Sequence, residues 1–289
     1  MIIIKYKTFF IGLSVLLVIV SFFLMHTYGI KRGIDFTGGS VIDITYGDNI
    51  PVLNAADFKN EDISLYETGP NTYRLISSKT YESISDTIEK LANPDKETPF
   101  VYTQISTVGP TLGAEMTKKA IIALIVVVLM ILAFIAFAFR HVSHPLPSWK
   151  YGVIAMLTLL HDIIIPTGIY TILSHNFGAE VDTLFIIALL TIIGISISDK
   201  IVVFDRIREN LKTGGKQPFN EVVGKSLKQT FTRSINTSVT VILALLALYF
   251  FGPVTTKYFT LTLIIGMVVG TYSSIFVASP LLTVWNRNK

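Results

Sequence analysis

Six apolar runs, each close to the length of a membrane span, set the first limit on what this chain can fold into. They cover residues 9–28, 120–139, 153–173, 183–204, 238–251 and 259–285. About 20 apolar residues cross a hydrocarbon core of about 30 Å as a helix. Lipid offers the backbone no hydrogen-bond partner, so such runs are read as helices. The fifth run is short unless it extends back toward Ile235, and the sixth is long enough to tilt. Composition agrees. The chain is 51% hydrophobic and 15% charged, against about 25% charged in soluble domains, and its mean hydropathy is +0.59. Cysteine is absent, which excludes disulfides, thiol catalysis and cysteine metal sites. The basic residues are not interleaved with an aromatic platform, so no nucleic-acid partner is expected. Lys5 and Lys7 precede the first run and no small-x-small cleavage pattern follows it. It reads as an uncleaved span rather than a signal peptide.

Residues 29–118 form the one extended hydrophilic segment. The stretch Gly33-Ile34-Asp35-Phe36-Thr37-Gly38-Gly39 is rich in turn residues, and Asp35 with Gly38 and Gly39 is read as a turn. Residues 40–46 alternate and are β-branched, which predicts a strand. A short helix is expected at 52–59, strands at 63–67 and 73–77, and a turn at Gly69-Pro70-Asn71 between them. Tyr81, Ile84, Ile88 and Leu91 recur at helical spacing, so 80–91 is an amphipathic helix that Asn93-Pro94 ends. Residues 100–108 give the last strand. The order β-α-β-β-α-β is the ferredoxin-like pattern. The expected fold is therefore a membrane all-α bundle of six transmembrane helices with a small α+β domain between the first two. The divisions are 1–28, 29–118 and 119–289, with a loop at 205–233 inside the last.

Lysine and arginine give the orientation. Lys5, Lys7, Arg140, Lys150, Arg206, Arg208, Lys212, Lys216, Lys225, Lys228, Arg233, Arg287 and Lys289 all fall on one side, whereas the opposite short loops carry only Lys257. The positive-inside rule places both termini in the cytoplasm and the α+β domain outside.

The fourth run carries Asp199 and Lys200 among Ile197, Ile201, Val202, Val203 and Phe204. Ionisable groups inside an apolar span cost roughly 2.5–3.5 kcal/mol each on insertion scales, so they read as a functional site. The competing reading is that both lie near the helix end and snorkel to the interface. Asp205 marks the cytoplasmic end of this run, and Asp199 lies roughly 9 Å above it by helical rise. Arg233 enters the fifth run from the same side, followed by Ser234, Asn236, Thr237 and Ser238. Asp199 and Arg233 could therefore pair at similar depth, either as a proton site or as a static salt bridge. His161-Asp162 in the third run is either a second relay or a packing hydrogen bond. Adjacent residues do not face each other on a helix, so one of them needs a partner on another helix. Pro166 is expected to kink this span. Gly194, Ser196 and Ser198, with Gly266, Gly270 and Ser274 on the sixth span, are small residues that let helices approach closely. Thr213-Gly214-Gly215-Lys216 lacks P-loop spacing, and there is no nucleophile elbow. No enzymatic activity, cofactor or metal is expected.

Taken together, GIDFTGGS (33–40), VGPTLGAEM (108–116), His161-Asp162, SISDKIVVFDRIREN (196–210) and RSINTSVTVILALLALYFFG (233–252) resemble the SecF family, end to end and in order. The resemblance implies a member of the resistance-nodulation-division superfamily in the bacterial inner membrane. It implies SecD, the SecYEG channel, YajC, the translocating unfolded preprotein and membrane lipids as partners. It implies that the proton-motive force helps exported proteins finish crossing, with Asp199 and Arg233 in the proton path and Asp162 a further candidate. One departure stands out: the family's usual Asn-Asp-Thr is Ser198-Asp199-Lys200 here. Lys200 sits about 100° round the helix from Asp199, where it either bears on that carboxylate or snorkels. The alternatives are a half-size proton-driven exporter of small molecules or lipids, a membrane hydrolase using His161, Asp162 and Asp199, and an assembly factor without proton chemistry.

Overall fold

A computed structural model of the chain describes residues 2–47, 53–93, 99–138, 147–213 and 217–286. Pro94, Arg140, the Gly214-Gly215-Lys216 part of the loop, Arg287 and Lys289, named above, lie outside the described residues. Among the described residues, six helices are long and apolar enough to span a membrane. In chain order they are Lys7–Tyr28, Pro110–Ala138, Ser148–Phe177, Thr183–Thr213, Phe219–Phe251, and a sixth built from Lys257–Ser273, a π-helical segment Ser274–Ala278 and Ser279–Trp285. They are called the first to sixth spans below. The third span runs through Pro166 as one helix.

The contacts divide the chain into two compact units. One comprises Met1–Gly29, Leu124–Tyr170 and Leu184–Lys289; the other comprises Ile30–Ala123 and Thr171–Thr183.

In the helical unit a continuous apolar core forms from Tyr151, Ile154 and Leu159 of the third span, Ile193, Ile197 and Phe204 of the fourth, and Val223 and Leu227 of the fifth. Ile275 and Leu282 of the sixth join it. Phe250 and Phe251 stay open, as lipid-facing side chains do. The segment 205–233, expected as a loop, is mostly helix, because the fourth span continues to Thr213 and the fifth starts at Phe219. Asn210 Nδ2 donates to Ser226 Oγ at 2.8 Å and to Gln229 Oε1 at 2.7 Å, and Ser226 Oγ donates to the Arg206 carbonyl at 3.3 Å. These bonds join the two helices beside the buried apolar residues Ile207, Val223 and Leu227. A polar, charged composition marks this stretch as outside the hydrocarbon, but Ile207, Leu211, Phe219, Val223 and Leu227 carry the core's apolar packing along both helices.

The second unit contains strands β1 (Gly39–Tyr46), β2 (Ile63–Gly69), β3 (Thr72–Ser77) and β4 (Phe100–Val108), with helices α1 (Ala55–Asn60) and α2 (Tyr81–Ala92). The sheet order is β2-β3-β1-β4 with every neighbour antiparallel, as a ferredoxin-like βαββαβ unit requires. Ile42, Ile44, Phe58, Ile63, Leu75, Ile84 and Ile88 fill its core. The α2 residues Ile84, Ile88 and Ala92 share one helical face. Arg74 grips Asp43 with two hydrogen bonds of 2.8 Å across β1 and β3.

The stretch 33–39 is more than a turn. Ile34–Thr37 is a single helical turn closed by Gly38 at φ +78°. Gly39 follows at φ +123°, and a Cβ there would lie 2.2 Å from the Ser77 carbonyl oxygen. Gly33 N–H donates to the Val181 carbonyl at 2.8 Å, and Val181 N–H donates to the Lys31 carbonyl at 2.9 Å. Asp35 Oδ2 accepts from the Thr183 N–H at 2.9 Å and caps the first residue of the fourth span. Glu180 lies in the same neighbourhood. Its burial raises its pKa to about 7, Asp182 and Asp35 add to the rise, and Arg74 and Lys31 oppose it.

Two outcomes are expected. Gly39→Ala should destabilise this unit by about 2 kcal/mol or more, through both the left-handed backbone and the clash. It should lower hydrogen-exchange protection in β1 and β3 while leaving the spans protected. For Glu180 the folded pKa lies above the unfolded 4.5, so the fold favours the protonated form. Its stabilising contribution is therefore complete below that value and is lost as pH rises through about 7. Thermal unfolding of the full chain across that range should show the decline, and Glu180→Gln should remove it.

Candidate proton-transfer site

The fourth span has two distinct faces. Leu189, Ile192, Ile193, Ser196, Ile197, Lys200, Val203, Phe204 and Ile207 are buried at helical spacing, so Lys200 stands in the core stripe. Gly194 and Ser198 are exposed. The two neighbouring ionisable residues therefore enter different surroundings.

Lys200 is fully buried and does not snorkel. Its Nζ lies 2.5 Å from Asp162 Oδ2, and Asp162 is fully buried as well. Ser273 Oγ of the sixth span donates to the same oxygen at 2.8 Å, and Ser196 Oγ makes hydrogen bonds with both Asp162 Oδ2 and Lys200 Nζ. The cross-helix partner expected for one of the His161-Asp162 residues is thus Lys200, with two serines beside it. The expectation that His161 and Asp162 do not meet is corrected: His161 Nδ1 lies 2.9 Å from Asp162 Oδ1. Adjacent Cβ atoms diverge, but Nδ1 and Oδ1 each lie only two bonds beyond Cβ, near enough to meet. An ionised carboxylate only accepts, so Nδ1–H is the donor. The His161 ring stacks on Tyr272, whose hydroxyl donates to the Phe10 carbonyl of the first span at 3.0 Å.

Asp199 is placed otherwise. Its Oδ1 accepts from Ser234 Oγ at 2.5 Å, and its Oδ2 is buried without a hydrogen-bond partner. Among the described residues no ion pair joins Asp199 to Arg233; the residue after Arg233 makes the contact instead. Asp199 and Arg233 do line one cavity of about 250 Å³ between the fourth, fifth and sixth spans, with Ser198, Thr237, Ser238 and Thr271. Arg233 and Val202 also line a second cavity of about 260 Å³, bounded by Asp205, Arg206 and Glu209. Ser196 belongs to both settings, since it lines the first cavity and bonds to the Asp162–Lys200 pair.

The small residues divide in the same way. A Cβ on Gly266 would meet the Ile192 side chain at 2.2 Å, and one on Gly270 would meet Ser196 Oγ at 3.2 Å. Both glycines bring the sixth span against the fourth. A Cβ on Gly194 would meet nothing within 4 Å, so within this chain Gly194, with the exposed Ser198, borders the cavity instead of a packed helix. The burial of Lys200 was the feature that sequence reasoning missed. Its signal was register: it falls in step with Ile193, Ile197, Phe204 and Ile207.

The family model for protein export membrane protein SecD/SecF, C-terminal, matches residues 87–288, and that for the SecD/SecF GG motif matches residues 23–49. Protein translocase subunit SecF of Thermobaculum terrenum is 41% identical, over 99% of this chain and 94% of that protein. The chain belongs to the SecF family. SecF of Anaerolinea thermophila is 34% identical over 97% of this chain and 92% of its own length. The crystal structure of SecDF, a translocon-associated membrane protein from Thermus thermophilus, matches with a TM-score of 0.84 at 31% identity, over 98% of this chain and 38% of that one. This SecF-family chain therefore spans little more than a third of a fused SecDF chain, and SecDF of the same organism is 35% identical over 90% of it. The GG motif contains the Gly38-Gly39 pair whose backbone no side chain fits.

Proposed function

We propose that this multi-pass membrane protein is the SecF subunit of a SecD–SecF complex, and that it uses the proton-motive force to help exported proteins finish crossing the membrane. The partners in this reading are SecD, the SecYEG channel, YajC and the unfolded preprotein. The protein lies in the bacterial inner membrane with both termini cytoplasmic. The fused SecDF relatives support SecD as the partner, and the lysine and arginine distribution supports the orientation. Relatives bear the names of translocase subunits, which favours this reading over a small-molecule exporter or a hydrolase.

The observation that carries the mechanism is the half-satisfied carboxylate of Asp199. A buried oxygen without a donor gains a hydrogen-bonding hydrogen when it is protonated, and the cavity gives it access. In the ionised state Asp199 faces Arg233 across that cavity. Protonation cancels the attraction and frees the fifth span to shift. Arg233 and Val202, shared with the second cavity, mark the exit toward Asp205 and Glu209. The drive is about 2.3 kcal/mol per charge per 100 mV, enough to bias a two-state element more than tenfold. An assembly factor without proton chemistry would share everything but the titration of Asp199.

The test is export in cells depleted of their own SecF and supplied with this chain and its cognate SecD. The intact chain should restore export. Asp199→Asn should accumulate and bind SecD normally yet fail to restore it. Equal restoration by both would make Asp199 structural.

A further inference from the structure

Two carboxylates sit within this bundle at membrane depth, and their surroundings differ in kind. Asp199 has one donor and one empty oxygen. Asp162 has four donors: His161 on its own span, Ser196 and Lys200 on the fourth, and Ser273 on the sixth. Lys200 is the one ammonium among them, and His161 meets the carboxylate through Nδ1. A carboxylate with three donors on one oxygen, one on the other and an ammonium at 2.5 Å is held as an acceptor.

We propose that Lys200 is a positioning residue. As the internal counter-charge of Asp162 it holds that carboxylate ionised, pins the third and sixth spans to the core face of the fourth, and so confines proton exchange to Asp199 on the neighbouring face. The sixth span leaves α-helical geometry at Ser274–Ala278, directly after Ser273. A π-helical insertion widens the helix locally and recurs at functional positions, and here it adjoins the serine that reaches Asp162. The shared Ser196 is the point of contact between the cavity and the pair. Its hydroxyl proton is committed to Asp162 and cannot also serve the empty oxygen of Asp199.

The inference rests on Asp199 as the exchanging group, but the two can fail separately. Removing one partner leaves an uncompensated buried charge, whereas removing both leaves none. Lys200→Met alone should shift the folded-to-unfolded ratio by about a hundredfold or more, seen as a several-fold fall in accumulation. The surviving protein should take up one additional proton, because Asp162 then neutralises itself. Asp162→Asn alone should also lower accumulation. The Lys200→Met/Asp162→Asn double variant should recover accumulation, because no uncompensated buried charge remains.

The assay is accumulation, together with proton uptake by the purified complex with SecD in liposomes. A double variant as impaired as the worse single variant would overturn the proposal. So would Lys200→Met with unchanged proton uptake. Loss of function in Asp199→Asn bears only on the earlier reading and leaves this comparison intact.

Discussion

The buried ion pair between Asp162 and Lys200 is the constraint on which the helical unit depends. Two full charges without solvent contact are tolerable in an apolar bundle only when each answers the other and the leftover lone pairs find donors. Those donors come from three spans, so the pair fixes the rotation and depth of the third, fourth and sixth spans at once. A one-residue rotation of the fourth span would carry Lys200 into the place of Asp199 and leave Asp162 uncompensated. The apolar core around Ile197, Phe204 and Ile275 gives the bundle its cohesion, while the pair gives it a single register.

Once that register is set, the placement of Asp199 follows. Adjacent helix positions differ by about 100°, so a lysine fixed in the core face turns its neighbour toward the fifth span. There the packing is looser and hydroxyl-rich, and Gly194 and Ser198 leave room. The close fits at Gly266 over Ile192 and Gly270 over Ser196 border the same cavity. The buried Lys200 in the core stripe and the cavity beside Asp199 give one helix both a fixed anchor and an acid with space next to it. In the second unit the same division recurs on a smaller scale. Gly38 and Gly39 allow a close backbone approach, while Asp35 caps Thr183 and the backbone around Gly33 pairs with Val181.

Much of this could be read in the sequence, and the gaps have physical causes. The six spans and the β-α-β-β-α-β order follow from hydropathy and periodicity, which are local. The strand at Phe100–Val108 has the bounds expected for it. Helix ends were misjudged where helices leave the apolar layer, as at Thr213 and Phe219, since the expected bounds followed hydropathy and the helix does not. Asp199 was recognisable as a candidate from its depth alone. Its partner was misassigned by one residue, Ser234 for Arg233, because side-chain reach across a helix pair is not encoded in spacing. The pairing of Lys200 with Asp162 required knowing which faces meet, which is a tertiary fact.

The most direct test of the central claim is a pH titration of carboxyl protonation by infrared difference spectroscopy on the chain reconstituted with SecD. The intact chain and Asp199→Asn would be compared. If Asp199 is the exchanging group and Asp162 stays ionised, one protonation band within the spans should appear on acidification and be absent from the variant. A spectrum unchanged by Asp199→Asn would contradict the account and place the titrating group elsewhere.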